Sequence, residues 1–182
     1  MNLMQRSGGG LTLNDMFVHR PDPDPVGPND ESVWSYPRPP RLEAARRHIR
    51  IVLGGEVIAE TANALRVLET SHPPNYYLPR AEFVAGALVP GEGTSFCEWK
   101  GRASYFTVRG GGQSAVNAAW GYEHPSPAFA LILDHVAIYP QYMDACYVDD
   151  ELVKPQPGGF YGGWINSWIK GPFKGGPGSR GW

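Results

Sequence analysis

Cysteine is scarce in this chain, since Cys97 and Cys146 are the two present in 182 residues. They form no C-x-x-C pair, and two distant cysteines cannot build a disulfide framework. The five histidines are also scattered, so no metal-ligand set of recognisable spacing is present. We therefore expect a metal-free protein without a cofactor, in a reduced cytoplasmic setting.

Long apolar runs and a charge excess are missing as well. No stretch approaches the roughly 18 apolar residues that a membrane span requires, and the N-terminus lacks the pattern of a signal peptide. The 16 basic and 18 acidic residues nearly balance, which excludes the strongly basic surface typical of nucleic-acid binding. We expect a soluble protein whose partner is a small molecule, with no nucleic acid and no membrane involved.

Glycine and proline are abundant instead, with 23 and 18 residues, which indicates many turns and few long helices. Three hairpins are predicted where alternating segments flank turn residues, at Arg46–Thr61, Ala103–Trp120 and Asp144–Val153. Short helices are predicted at Pro79–Leu88, where Pro90-Gly91 would end the helix, and at Ala128–Leu133. The fold class is therefore mainly β, or β-rich α+β, built from antiparallel hairpins.

The chain length fits one domain with tails. Residues 1–31 contain glycine runs and alternating proline and aspartate, which predicts a flexible N-terminal arm with little apolar burial. Residues 32–182 form the predicted domain. From about Gly171 the sequence has no periodicity, so we expect an irregular segment there.

Ionisable residues within apolar sequence mark Leu65–Lys100 as the candidate site. As a strand, Leu65 and Val67 share one face with Glu69, so this carboxylate ends a row that points toward a core or pocket wall. His72 follows at the strand exit, before a rigid Pro-Pro pair. Glu69 is the candidate acid or base, His72 its partner and Lys100 a substrate anchor.

Each of these residues also has a structural interpretation. Glu69 could be a buried carboxylate that is bonded to backbone amides or paired with Arg66 or Lys100. A histidine before Pro-Pro is commonly a loop residue with one structural hydrogen bond, and a lysine is more commonly a surface charge. Cys97 is a weaker candidate nucleophile, since its motif contains no histidine that could activate it.

Aromatic side chains are the candidate walls of a ligand pocket. They could hold a flat or cationic ligand, although packing in the core is the commoner role of such residues. The predicted ligand-binding residues are Arg66, Tyr77, Trp99, Tyr105, Trp120 and Tyr139.

Several strings resemble the domain-of-unknown-function 427 family: RVLETSHPPNYYLP at Arg66–Pro79, CEWKG at Cys97–Gly101, NAAWGYEHPSPAF at Asn117–Phe129, and PQPGGFYGGW with GPFKGGPG at Pro155–Gly178. The resemblance implies a small single domain similar to the β-tent fold, which methionine sulfoxide reductase B and the thalidomide-binding domain of cereblon share. Those relatives carry two C-x-x-C pairs on zinc, which this chain lacks, so their metal and reductase chemistry do not transfer. Some family labels mention nucleotidyl transfer, which no residue pattern here supports.

Two functional hypotheses from different classes follow. The favoured one is a metal-free enzyme that uses Glu69, His72 and Lys100 for acid-base chemistry on a small planar or carbonyl-bearing molecule. The alternative is a non-catalytic module whose aromatic walls bind a small ligand or a peptide end, by analogy with cereblon.

Overall fold

A computed structural model describes residues 20–182, in which the chain forms a small, mainly β domain. The strands are β1 (Glu31–Ser32), β2 (Arg41–Ala44), β3 (Ile49–Leu53), β4 (Glu56–Thr61), β5 (Leu65–Leu68), β6 (Asn75–Pro79), β7 (Leu88–Cys97), β8 (Gly101–Gly110), β9 (Gln113–Gly121), β10 (His135–Ile138), β11 (Ala145–Val148), β12 (Glu151–Leu152), β13 (Lys154–Pro155), β14 (Trp164–Ile165) and β15 (Ile169–Lys170). Within residues 20–182 the helical segments are short 3-10 helices at Val33–Ser35, Arg80–Glu82, Pro127–Ile132 and Pro140–Tyr142. No helix of this described part is long and apolar enough to cross a membrane.

Two antiparallel sheets build the body of the domain. The larger has seven strands in the order β2-β5-β6-β10-β9-β8-β7, and the smaller has four in the order β12-β11-β3-β4. Two short pairs, β1-β15 and β13-β14, connect the terminal segments. The order places β10 between β6 and β9, so residues far apart in sequence meet at the centre of the larger sheet.

The main core lies between these two sheets. Alternation along the strands directs Leu78, Val136 and Ile138 of the larger sheet toward Ile49 and Ile51 of the smaller one, and all five are 0% exposed. Burying side chains of this size contributes about 1.5–3 kcal/mol each. This aliphatic layer leaves the opposite face of the larger sheet available for a site.

The predicted hairpins are confirmed. β3-β4, β8-β9 and β11-β12 pair in antiparallel register around the expected turns. The inner face predicted for the first hairpin is also confirmed, since Ile49, Ile51, Leu53 and Ile58 are at most 2% exposed.

The prediction for Pro79–Leu88 was wrong in extent. The helix there is a single 3-10 turn at Arg80–Glu82, so it ends well before Pro90-Gly91, and that pair lies inside β7. The register shifts between Pro90 and Thr94, and Asn117 closes the bulge by hydrogen bonds to both backbone groups of Glu92, at 3.2 and 3.0 Å. An edge strand tolerates proline and glycine at a bulge because no further neighbour needs their amides.

The first residues described lie against the C-terminal segment. The backbone amide of Asp24 donates to Gly171 O at 2.8 Å, and the Gly171 amide donates to the Asp24 carboxylate at 3.0 Å. Glu31 pairs with Ile169 in β1-β15. Residues 20–31 of the predicted arm are thus held by hydrogen bonds at both ends, although residues 22–29 are exposed. The rest of that arm, residues 1–19, lies outside the described residues.

Candidate functional site

A row of paired residues crosses the free face of the seven-stranded sheet. In register, Leu65 lies opposite Tyr77, Tyr77 opposite Ala137, Ala137 opposite Trp120 and Trp120 opposite Tyr105. Directly opposed residues on one face have Cβ atoms about 4.5–5.5 Å apart. The small Ala137 between two large rings leaves room above the sheet, and a cavity lies there.

This cavity has a volume of about 530 Å³, which is within the usual size of small-molecule pockets. Besides the sheet, its walls come from the turn between β7 and β8, the loop between β13 and β14, and the segment that follows β5. The lining residues are Arg38, Glu69, His72, Asn75, Tyr77, Ser95, Phe96, Cys97, Glu98, Trp99, Lys100, Tyr105, Trp120, Tyr122, Tyr139, Phe160, Tyr161, Gly162 and Lys174. The structure therefore brings together all predicted site residues except Arg66.

Glu69 is the first residue after β5 and lines the cavity at the end of the row that contains Leu65 and Val67. Its carboxylate is 3.1 Å from Arg38 Nη2, and its side chain is 23% exposed. The partner expected from sequence was Arg66 or Lys100, so this pairing is a correction. Arg38 lies 31 residues earlier in a Pro-rich segment, where sequence spacing predicts no contact with Glu69.

His72 closes a turn after β5, since its amide donates to Glu69 O at 3.0 Å. Its ring packs edge-on against Tyr161, with 4.6 Å between centroids, and its Nδ1 lies 3.0 Å from Gln156 Nε2. Burial, reinforced by the charges of Lys174, Arg38 and Lys100, lowers the pKa of His72 to about 3. His72 is therefore neutral at physiological pH and does not exchange protons with Glu69 as a titrating partner.

Lys100 ends the tight turn between β7 and β8 and is only 9% exposed, so the interpretation as a surface charge is wrong. Its ammonium lies 6.0 Å from the ring centroid of Tyr122 and 5.7 Å from that of Phe129, within cation-π range. Burial lowers the pKa of Lys100, but neighbouring Tyr77, Cys97 and Glu69 outweigh burial and raise it overall. Lys100 is thus a buried cation at the cavity wall.

The tyrosines around Lys100 remain protonated. Burial raises the pKa of Tyr77 more than the charge of Lys100 lowers it. The pKa of Tyr122 is raised by burial and then by Tyr77 and Cys97, and that of Tyr139 by burial and then by Tyr105. Trp120 Nε1 donates to the Tyr77 hydroxyl at 3.3 Å. The wall therefore carries neutral hydroxyls that can donate or accept hydrogen bonds.

The β13-β14 loop supplies residues that sequence reasoning missed. Phe160 and Tyr161 of the string PQPGGFYGGW line the cavity, although neither was among the predicted site residues. The loop can approach because Gly162 has no side chain: a Cβ there would lie 2.3 Å from the Trp120 ring. The sequence signal that could have indicated this wall is a pair of aromatic residues between two glycine pairs. Lys174 and Arg38 were missed too, since each lies in an irregular segment.

Arg66 faces the opposite side of the sheet, so its prediction as a ligand-binding residue was wrong. Its guanidinium is 2.9 Å from a Glu31 oxygen and 2.7 Å from a Glu43 oxygen. Tyr36 also donates to Glu31, at 2.8 Å. Because Arg66 directly precedes Val67, which belongs to the cavity-side cluster, strand alternation places Arg66 on the other face.

Metal ligands are not grouped in the described part of the chain: within residues 20–182, no three His, Cys, Asp or Glu side chains lie together so as to hold a metal ion. Cys97 is half-buried at the cavity wall, where it contacts Lys100 and Tyr122. Cys146 is buried in the main core, away from the cavity.

Comparison with known proteins identifies the family. The search of curated proteins found no match for the chain. The family model described as domain of unknown function (DUF427) matches residues 41–149, a range that includes Glu69, His72 and Lys100 but not Arg38, Tyr161 or Lys174. Since the match covers more than half of the chain, the protein belongs to the DUF427 family.

Proposed function

We propose that the cavity binds a small planar molecule that carries an anionic group. The observation that carries this proposal is the position of Lys100: a buried ammonium at the wall of an aromatic cavity that forms no salt bridge within residues 20–182. Burial disfavours the charged form of Lys100, and a charge that is buried without a direct salt bridge is costly. A bound anion would offset that cost.

The remaining charges support the same ligand class. Arg38 is paired with Glu69, whereas the Lys174 ammonium donates to the main-chain O of Trp182 at 2.5 Å. Lys100 and Lys174 thus line the cavity without an Asp or Glu side chain as a salt-bridge partner among residues 20–182, and Glu69 and Glu98 are the carboxylates of the lining. The cavity carries a net positive charge, which favours an anion over a cation.

The aromatic rings support a planar ligand. Trp120 packs against Tyr139 with 4.4 Å between centroids, and against Tyr77 with 6.2 Å in an edge-on arrangement. Flat π-faces and ring edges favour stacking of another flat group. An aryl carboxylate combines both properties and is the simplest probe.

Binding of benzoate, benzamide and benzylamine tests the proposal, since the three differ mainly in charge and hydrogen bonding. We expect benzoate to raise the melting temperature most, benzamide less and benzylamine least, because a ligand that binds the folded state stabilises it. In Lys100→Met the preference for benzoate should disappear. Lys170→Met is the matched control, since Lys170 contacts Ser167 and Asp30 outside the cavity. Equal responses to the three compounds would contradict the proposal.

Metal-free acid-base catalysis in the same cavity is the second candidate function. The observation that favours it is the convergence of Glu69 and Lys100 on one cavity, with the Glu69 carboxylate open to solvent. Glu69 would move the proton and Lys100 would stabilise the developing negative charge. His72, being neutral, would act through hydrogen bonding alone.

Deuterium incorporation from solvent into phenylpyruvate tests this chemistry, because the compound is planar as its enol and carries a carbonyl and a carboxylate. We expect exchange faster than in buffer, loss of this rate in Glu69→Gln, and a nearly unchanged melting temperature in that variant, since amide and carboxylate are isosteric. If the wild type exchanges no faster than buffer, or Glu69→Gln retains the full rate, Glu69 is not the base for this reaction class.

A further inference from the structure

Gln156 directly follows β13 and is only 3% exposed. Its side-chain Nε2 lies 2.7 Å from Lys174 O and 3.0 Å from His72 Nδ1. The Gln156 backbone amide donates to Gly163 O at 2.9 Å. The Lys174 carbonyl thus holds the Gln156 side chain next to the imidazole ring of His72, and the Gly163 carbonyl holds the Gln156 backbone.

The orientation of the Gln156 amide follows from its neighbours. If oxygen and nitrogen were exchanged, the amide oxygen would face the Lys174 carbonyl oxygen at 2.7 Å, with two acceptors and no proton between them. In the observed orientation Oε1 lies against Gly163, where a Cβ would come within 2.3 Å. Nε2 therefore donates one hydrogen to Lys174 O and the other to His72 Nδ1.

This contact determines the tautomer of His72. A neutral imidazole has one N–H donor and one acceptor. Because Nδ1 accepts from Gln156, the proton of the neutral ring is on Nε2. His72 lines the cavity, whereas Gln156 does not. Within residues 20–182 the ring forms its side-chain hydrogen bond through Nδ1, which leaves Nε2–H for a ligand.

We infer that His72 contributes a fixed N–H donor to a carboxylate subsite of the cavity, and that Gln156 is the positioning residue that fixes this donor. The inference rests on the proposed binding of an anion and names the contact for its charged group. Arg38, Lys100 and Lys174 line the same cavity and all act electrostatically on the ring, so the imidazole lies in a positive region. An acceptor with negative charge fits there, whereas an amine does not.

The tautomer can be measured without any ligand. In the full-length ¹⁵N-labelled protein, two-bond proton–nitrogen correlations of the imidazoles at pH 7 report which nitrogen is protonated, and His72→Asn identifies the His72 signals. We expect the Nε2–H form in the wild type, a mixture in Gln156→Leu, and the Nδ1–H form in Gln156→Glu, where a carboxylate accepts from Nδ1. Gln113→Leu is the matched control, since Gln113 is exposed at the start of β9 and lies outside the cavity.

Two outcomes of this measurement would overturn the inference. One is a wild-type ring with its proton on Nδ1 or shared between both nitrogens. The other is a ring that titrates between pH 5 and pH 8, because a charged imidazole donates from both nitrogens whatever Gln156 does. Neither depends on whether Gln156→Glu folds, since both are read from the wild type.

Benzoate binding then tests the subsite. We expect benzoate to shift the His72 Nε2–H resonance and to bind about tenfold more weakly to Gln156→Glu than to the wild type, the usual loss when a hydrogen bond to a charged group is removed. Gln113→Leu should bind as the wild type does. If phenyl phosphate binds more tightly than benzoate, the carboxylate assignment is wrong.

The two proposals can fail separately. Benzoate that stabilises the protein through Lys100 but leaves the His72 resonances unchanged would overturn the subsite and leave the proposed function intact. Absence of benzoate binding would overturn the proposed function and the subsite together, even with the expected tautomer.

Discussion

The two faces of the seven-stranded sheet use the same strands for different purposes. On one face Leu78, Val136 and Ile138 are fully buried against the four-stranded sheet. On the other, Tyr77 and Trp120 border a cavity of about 530 Å³. Neighbours in sequence go to opposite faces: Tyr76 packs on Trp164 in the core, at 5.1 Å between centroids, while Tyr77 lines the cavity.

We propose that this difference separates the residues that stabilise the domain from those that bind a ligand. Protein interiors are normally close-packed, and unfilled volume lowers stability. The aliphatic face has complementary side chains from the second sheet, whereas the aromatic face is bordered by loops that leave space. We infer that the first face maintains the domain and that the second is shaped for a ligand.

Leu78→Ala should have the largest effect on stability, because it removes a fully buried side chain and leaves a cavity that two sheets cannot collapse. We expect a loss of about 2–5 kcal/mol in the free energy of unfolding, measured by urea denaturation. Benzoate affinity of the folded fraction should stay unchanged. A large change in affinity with little loss of stability would break the proposed division between the faces.

Arg66→Met tests the polar part of the same non-cavity face. The substitution leaves Glu31 and Glu43 without their shared cation, which should cost about 2–3 kcal/mol, somewhat less than for a fully buried pair. Thermal and urea unfolding measure this cost. Because Arg66 does not face the cavity, the folded variant should bind benzoate as the wild type does. A specific loss of benzoate binding would show that Arg66 belongs to the site.

His72 makes the cavity face sensitive to pH. Its pKa is about 3 in the folded protein against an ordinary value of 6.5, so below pH 6.5 the unfolded chain binds a proton that the folded protein does not. Stability therefore falls as the pH falls, and this contribution reaches about 2 kcal/mol between pH 6.5 and pH 5. Urea denaturation at both pH values should show a smaller decrease in His72→Asn. Equal decreases would mean that His72 is not held neutral.

Phe160→Ala should have the smallest effect on stability. Phe160 is 77% exposed and lines the cavity, so we expect a change within about 0.5 kcal/mol together with weaker benzoate binding in calorimetry. Leu131→Ala is the matched control, since Leu131 is 71% exposed outside the cavity. If both variants bind benzoate as the wild type does, the loop wall contributes nothing to recognition.

Sequence patterns predicted the cavity wall that the sheet forms better than the walls that the loops form. The row that ends at Glu69 and the aromatics of β6, β8, β9 and β10 follow from strand alternation, so their position on one wall could be anticipated. Alternation also places Arg66 on the face opposite Glu69, so assigning both residues to one pocket was inconsistent with the pattern. Arg38, Tyr161, Gln156 and Lys174 lie on irregular segments, where no periodicity relates sequence to direction.

The sequence by itself determined the mainly β class, the three hairpins and the candidate carboxylate, imidazole and ammonium, because alternation and turn chemistry act between near neighbours. Only the tertiary structure decided the partners of these groups, which are Arg38 for Glu69 and Gln156 for His72. Lys100 forms no salt bridge with a carboxylate within residues 20–182. Burial and the nearby cations then made His72 neutral. Glu69 and Arg38 are 31 positions apart in the sequence, and His72 and Gln156 are 84 positions apart. Whether such long loops close depends on how the whole chain packs.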